Sequence, residues 1–226
     1  NIENLLFAGR NISATHAAMS STRVMATCAI IGQAVGTASS IAIQNNLSPR
    51  GVYQQKIQEL KQRLMDDDCY LPWNVRKIPE LTKEAQLIAS EGDPEPLRNG
   101  IDRPIGENDN GWTGNMGSWV QYSFNEPKNV SELRFIFDSD LNRIGMNMPC
   151  NYPLNVEPLS VPKTMVKSFR IEFLNANDEI IGIKEENNNY QRLVRIKADV
   201  TASKIRFIPI STWGADKFHI FAWDVR

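Results

Sequence analysis

The residues best suited to chemistry in the first part of the chain are a glycine, an arginine, a histidine and a helix start in close succession. Gly9 lacks a side chain, so a ligand can approach its backbone, and Arg10 adds a positive charge. His16 is the candidate acid/base group nearby, because the ordinary pKa of an imidazole suits proton transfer near neutral pH. Arg23–Met25 begins an apolar stretch, and N–H groups at a helix start can hold negative charge. The series predicts a ligand-binding turn followed by a helix N-terminus.

A short strand and a long apolar helix are predicted to position these residues. Leu5–Gly9 is an apolar run that ends in glycine, which predicts a buried strand running into a turn. Ser21–Asn45 consists mainly of small and apolar residues without proline, which predicts a helix. Its part Val24–Ile43 carries no charged residue, but polar side chains dilute it and no aromatic belt flanks it. We therefore expect a helix buried inside a large soluble domain and no membrane span.

A second helix is predicted directly after the first. Ser48 is a good N-cap and Pro49 a good first helical residue. The acidic run Asp66–Asp68 is unfavourable beside the negative end of a helix dipole, so we expect the helix to fray there. Two prolines then interrupt the pattern. The sequence thus predicts a first domain over residues 1–71, a linker over 72–83 and a second domain over 84–226.

From about Glu84 the pattern of apolar residues changes to alternation, which is typical of half-buried strands. Within Phe169–Phe173 and Lys204–Phe207, apolar residues alternate with charged ones. Further strand candidates are Trp119–Phe124, Glu132–Phe137, Glu179–Lys184, Leu193–Ala198 and Phe218–Val225. Asn175–Asp178 is predicted to be a hairpin turn. Seven or eight short antiparallel strands predict a β-sandwich of jelly-roll type.

The composition excludes several classes of function. With 25 basic and 26 acidic residues in a chain of 226, no global attraction to a phosphate backbone exists, so no nucleic-acid partner is predicted. Three cysteines without a CxxC pair and two histidines predict no metal site. Because the chain opens inside a predicted core strand, we expect it to be the C-terminal part of a longer protein. Any export signal would then lie upstream. The sequence does not determine where the protein is located, and a periplasmic or secreted location is among the alternatives.

The pattern GRNIS, His16, S.RVM.TC and GQA.G over residues 4–70 resembles the C-terminal stretch of bacterial FAD-dependent oxidoreductases of the two-dinucleotide-binding-motif type. The resemblance implies the helical end of a Rossmann-like FAD-binding domain, with FAD as the cofactor of the full-length protein. It implies a catalytic role for His16. The cofactor contacts that it implies are Gly9, Arg10, Asn11, Ser13, Arg23, Val24 and Met25.

The chain departs from that family in one respect. The family's G-x-G-x-x-G motif, which holds the ADP half of FAD, is absent from this sequence. We therefore expect the fragment not to retain FAD and to be inactive by itself. Its partner would be the upstream FAD-binding portion of the same chain.

Residues 84–226 resemble a discoidin-like, galactose-binding-type jelly roll, through Asn99–Pro104, Ser118–Tyr122 and Phe135–Ser139. Such modules often bind sugars by stacking loop aromatics on the ring and by donating hydrogen bonds from Arg or Asn. The residues that this resemblance selects for a carbohydrate ligand are Trp112 and Trp213, each beside a glycine in a predicted loop, and Arg103.

Two further segments of the second domain have open interpretations. Asp102 could help to hold a structural Ca²⁺, as some of these modules do, but a solvated turn is the preferred interpretation. A long irregular region, residues 142–162, contains Arg143, Asn147 and Tyr152 and is predicted to shape a substrate entrance.

The fold class predicted for the fragment is α+β, with a helical end of a FAD-binding domain followed by an antiparallel β-sandwich. The leading hypothesis for function is the closing segment of a flavin-dependent oxidoreductase with an accessory, sugar-binding sandwich. The alternative is a carbohydrate-binding or purely structural sandwich without redox activity.

Overall fold

The computed structural model of the protein describes residues 2–140 and 160–226. The chain divides into a helical unit, Asn1–Arg76, and a β unit, Lys77–Arg226. Each unit is described by itself below.

The helical unit contains three helices whose ends follow local capping signals. They are α1 (His16–Thr22), α2 (Met25–Asn45) and α3 (Pro49–Asp66). The side chain of Thr15 caps α1 by accepting from the Ala18 N–H, and Ser48 caps α3 by accepting from the Gly51 N–H at 3.1 Å. The predicted single helix over Ser21–Asn45 is therefore interrupted between α1 and α2. The start of α3 is where the sequence predicted it.

The predicted strand Leu5–Gly9 is absent from the structure. These residues form no strand, and Leu5 and Phe7 are about half exposed, at 47% and 53%. The prediction was wrong because a strand needs a neighbour to pair its backbone, and no other described segment pairs with this one. The predicted turn does form: Gly9 has φ 94°, and the Ile12 N–H donates to the Gly9 carbonyl at 3.3 Å.

The burial predicted for α2 is also wrong within the described residues. Only Ile41 and Ala42 are buried, and they pack with Val52 of α3. The reason is that α3 covers the C-terminal end of α2, while Val24 and Ile30 near its start are 49% exposed. Among the described helices, α2 alone is long and apolar enough to cross a membrane. Core helices of soluble proteins can have the same length and composition.

The β unit begins with a short helix, α4 (Glu80–Glu84), and has a 3-10 turn at Glu95–Arg98. The seven strands described are β1 (Gln86–Ala89), β2 (Trp112–Asn115), β3 (Val120–Phe137), β4 (Val166–Leu174), β5 (Ile180–Glu186), β6 (Leu193–Thr212) and β7 (Lys217–Val225). All their pairings are antiparallel.

Two long strands, β3 and β6, pass through both layers of the sheet. The start of β3 pairs with β1 and with the end of β6, which also pairs with β4, the neighbour of β5. The rest of β3 pairs with the start of β6 and with β7, which pairs with β2. The β3–β6 register shifts between Ser123 and Lys128 and again between Val130 and Glu132. Irregularities of this kind bend strands, so one continuous sheet folds into two layers.

Aromatic rings from the two layers meet in the core. Phe135, in the second part of β3, lies 4.7 Å from Phe207 and 6.0 Å from Phe169, ring centroid to ring centroid. Tyr122 and Trp223 meet across the layers at 4.5 Å. All five side chains are buried. These contacts make the β unit a sandwich, and the α+β fold class is confirmed.

The boundaries of several predicted strands differ from those observed. The predicted strands Trp119–Phe124 and Glu132–Phe137 are parts of β3, and Leu193–Ala198 and Lys204–Phe207 are parts of β6. The hairpin turn between β4 and β5 forms where predicted, with the Asn175 side chain accepting from the Glu179 N–H at 3.0 Å. Sequence patterns missed β1 and β2 because each has four residues.

Candidate functional sites

The residues predicted to contact FAD lie in one continuous stretch at the start of the helical unit. Gly9 forms the turn, His16 is the first residue of α1, and Val24 is the N-cap residue of α2. The remaining members of the set, Arg10, Asn11, Ser13, Arg23 and Met25, are exposed. Among the described residues, the side chains of this set form no hydrogen bond or ion pair with one another.

The start of α2 fits an electron-rich group. No side chain caps it, so the N–H groups of its first turn remain available, and the helix dipole makes this end positive. A Cβ built at Gly9 meets only the Asn11 side chain, at 3.9 Å, so the space beside that turn is open. Met25 is 89% exposed. These features leave space and positive potential for an electron-rich ligand, and contact with a flavin stays a prediction.

Trp112 has a different environment from the one predicted. It lies in β2 and is 1% exposed, with its ring 4.6 Å from that of Phe218. Its Nε1–H donates to the Glu91 carbonyl at 2.9 Å. The predicted role of Trp112 in stacking on a sugar is wrong, because pairing of β2 with β7 turns the ring into the core.

Trp213 follows β6 in the connection to β7, as predicted, and is half-buried. Its Nε1–H donates to the Asn189 carbonyl at 2.7 Å. The Lys167 ammonium lies 4.7 Å from the ring centroid. Trp213 therefore fixes the segment around Asn189, and its contact with sugar stays a prediction.

Arg103 lines a pocket of about 220 Å³ on the β unit. The other residues that line it are Pro104, Asp109, Asp138, Asp140, Arg192, His219 and Phe221. Guanidinium, carboxylate and imidazole groups are thus concentrated around a small apolar patch. Arg143, Asn147 and Tyr152, the predicted entrance residues, lie outside the described residues.

His219 joins two carboxylates at this pocket. Its Nδ1 lies 2.9 Å from Asp138 Oδ2, and its Nε2 lies 3.1 Å from Asp109 Oδ2. Because carboxylate oxygens only accept, the doubly protonated imidazolium satisfies both contacts. Burial lowers the pKa of His219, but the hydrogen bonds and charges of Asp138 and Asp109 outweigh it and raise the pKa above its ordinary value.

The pKa of Asp138 shifts in the opposite direction from that of His219. Burial raises the pKa of Asp138, but the hydrogen bond from His219, the Asp140 N–H and the charges of His219 and Arg192 lower it below its ordinary value. Sequence reasoning missed this pair. Its members are 81 positions apart, and although Asp138 belongs to the Phe135–Ser139 motif, nothing in the sequence connects that motif with His219.

The pH dependence of stability follows from these two directions. The His219 contribution is complete below the ordinary pKa of 6.5 and is lost as pH rises through the raised pKa of the folded state. The Asp138 contribution is complete above 3.8 and is lost as pH falls through the lowered pKa. We expect the contribution of the His219–Asp138 pair to the free energy of unfolding to be greatest between pH 3.8 and pH 6.5. It is roughly 1–3 kcal/mol for charge-assisted hydrogen bonds. Urea unfolding at pH values from about 2 to 9 measures it. We expect His219→Gln to abolish the alkaline loss and His16→Gln to leave it. An unchanged pH profile in His219→Gln would contradict the assignment.

A buried ionic cluster lies under the loop that carries Asp102. Arg134 Nη2 is 2.9 Å from Asp102 Oδ2, and Arg134 Nη1 is 3.4 Å from Asp224 Oδ2. The side chains of Arg134 and Asp224 are fully buried, and that of Asp102 is 9% exposed. The preferred interpretation of Asp102 as part of a solvated turn is therefore wrong. Its carboxylate is neutralised by a guanidinium, and the described residues contain no cluster of His, Cys, Asp or Glu suited to a metal ion.

The comparison with protein families concerns the helical unit. Residues 1–64 match the family described as FAD dependent oxidoreductase. This match confirms the resemblance of the first segment to FAD-dependent oxidoreductases. No curated protein matches the chain in sequence.

Solved structures similar to this chain align over about two thirds of it. A fucose binding module of Streptococcus pneumoniae, SpX-3, is 10% identical and covers 66% of this chain and 98% of its own, with a TM-score of 0.49. The family 32 carbohydrate-binding module of Streptococcus pneumoniae EndoD is 18% identical over 63% and 94% of the two chains, with a TM-score of 0.45. The family 32 module of C. perfringens NanJ, in complex with galactose, is 11% identical over 64% and 94%, with a TM-score of 0.43.

Proposed function

We propose that the chain is the C-terminal part of a flavin-dependent oxidoreductase, in which residues 1–71 complete the FAD site. The observation that carries the proposal is the match of residues 1–64 to the FAD-dependent oxidoreductases. The uncapped start of α2 and the open turn at Gly9 support it, since both occur within the matched residues.

The residues of this chain would then have separate roles at the cofactor. Gly9 admits the ligand to the backbone, and Arg10 and Arg23 supply positive charge. The first turn of α2 directs its N–H groups at electron-rich atoms, where they stabilise negative charge. His16 holds or releases a proton. The hydride chemistry is supplied by bound FAD.

The visible absorption spectrum tests this proposal. We expect the protein extended upstream to keep flavin absorption bands through gel filtration. The 226-residue chain, after incubation with FAD, should elute colourless because the G-x-G-x-x-G motif is absent from it. A colourless extended protein that ignores added FAD would contradict the oxidoreductase assignment.

For the β unit we propose carbohydrate binding as a second, compatible function. The pocket at Arg103 supports it, because charged donors and acceptors lie there beside the apolar ring of Pro104. Hydroxyl-rich ligands need such donors and acceptors, together with a small apolar surface.

Replacement of Arg103 tests the carbohydrate proposal. We expect Arg103→Ala to weaken sugar binding about tenfold or more, as loss of a charge-assisted hydrogen bond does. Calorimetry with neutral, amino and acidic saccharides measures it, and Arg50→Ala, at an exposed arginine of the helical unit, is the control. If the whole panel fails to bind, the sandwich is an accessory domain without sugar-binding activity.

A further inference from the structure

A cleft lies beside β5, which is the edge strand of the sandwich. The register places Lys184 opposite Ile171 and Glu186 opposite Phe169, so Lys184 and Glu186 lie on the side of β5 that faces the core. From the other layer, Val194 and Ile196 of β6 pack against the core and are themselves only partly buried. These residues line a cleft of about 390 Å³, within the range of about 300–1,000 Å³ typical of small-ligand sites. We call it the edge cleft.

A rigid loop closes one end of the edge cleft. The buried Asn189 side chain donates to the Val166 carbonyl at 2.9 Å and accepts from the Gln191 N–H at 3.0 Å. The Asn189 N–H donates to the Lys167 carbonyl at 2.8 Å, and its carbonyl accepts from Trp213. These bonds anchor the backbone on both sides of Tyr190. A side chain on such a loop loses little conformational entropy when it binds a ligand.

Tyr190 is the aromatic residue of this loop and lines the edge cleft. It is 64% exposed although its neighbour Asn189 is 6% exposed. An exposed aromatic ring on a fixed backbone offers a flat apolar face with a polar tip. The amides of Asn188 and Gln191 lie beside it and can both donate and accept hydrogen bonds.

The charges that line the edge cleft balance. On the core-facing side, Lys184 is positive and Glu186 is negative, whereas Glu185 lies 4.0 Å from Arg170 and Arg195 lies 3.3 Å from Glu132. A strongly charged ligand would therefore meet a like charge as well as an opposite one. An uncharged ligand rich in hydroxyl groups can bond to both Lys184 and Glu186, while its C–H face lies on Tyr190.

We propose that the edge cleft binds a neutral saccharide unit, with Tyr190 as the stacking residue and Lys184 as a hydrogen-bond donor to its hydroxyls. This inference rests on the proposed carbohydrate-binding function. It assigns a site separate from the pocket at Arg103, because the two share no lining residue.

NMR titration of the 226-residue chain with neutral saccharides tests the edge cleft. We expect the amide signals of residues 184–191 to shift. Tyr190→Ala should raise the Kd reported by those signals about tenfold or more, and Lys184→Met should raise it in the same direction. Tyr53→Ala is the matched control, because Tyr53 of the helical unit is also 64% exposed.

The outcomes separate the two proposals. Shifts confined to signals around Arg103 and His219 would overturn the edge cleft and leave carbohydrate binding intact. A Kd unchanged by Tyr190→Ala, or shifts with acidic saccharides alone, would also overturn it. No shift with any saccharide would overturn both proposals. If Arg103→Ala abolished the saccharide-induced shifts of residues 184–191, the two pockets would not be separate sites.

Discussion

Replacing Arg134 by methionine is expected to destabilise the β unit by about 3–5 kcal/mol. The guanidinium is fully buried between the carboxylates of Asp102 and Asp224. Methionine fills most of the space but removes the guanidinium that both buried carboxylates contact, and breaking a buried ion pair is far more costly than breaking an exposed one. Urea unfolding followed by tryptophan fluorescence measures the change, since Trp223 lies in the core of this unit.

Two further variants separate charge from packing at this cluster. Arg195→Met removes a partly exposed pair with Glu132 at 3.3 Å, and we expect a cost of about 1 kcal/mol or less. Adding Asp102→Asn and Asp224→Asn to Arg134→Met should restore part of the stability, because the two negative charges that the guanidinium balanced are removed as well. If Arg134→Met lowered the free energy of unfolding no more than Arg195→Met does, the guanidinium would not be needed to stabilise the cluster.

The second large effect is expected at the cofactor. Gly9→Val in the upstream-extended protein should lower the bound flavin about tenfold or more, because the new side chain occupies the open space beside the turn and strains a backbone with φ 94°. The ratio of flavin absorbance to protein absorbance after gel filtration measures the content.

The control for Gly9→Val must carry similar backbone strain away from the cofactor. Gly106 of the β unit has φ 58°, and a Cβ built there meets nothing within 4 Å. Gly106→Val should therefore keep its flavin. Flavin kept by both variants would remove Gly9 from the site, while loss from both would point to general destabilisation.

Local signals in the sequence determined much of the fold. The N-cap at Ser48, the hairpin turn Asn175–Asp178 and the alternation in β4 and β7 are each encoded within a few residues. Such signals act through the backbone nearby, so they can be recognised without knowledge of the rest of the chain. The resemblance of residues 1–64 to FAD-dependent oxidoreductases was recognisable for a related reason, because the elements of its motif follow one another within one short stretch.

Other features depend on partners far away in the sequence, and only the tertiary structure decided them. Leu5–Gly9 has strand-like residues but forms no strand, since a strand exists only where a neighbour pairs with it. Trp112 lies in the core because four residues of β2 pair with β7. Arg134 meets Asp224 across 90 positions, and His219 meets Asp109 across 110. Burial and charge pairing depend on the folding of β3 and β6 into two layers, and no local pattern of residues specifies which distant side chains that folding brings together.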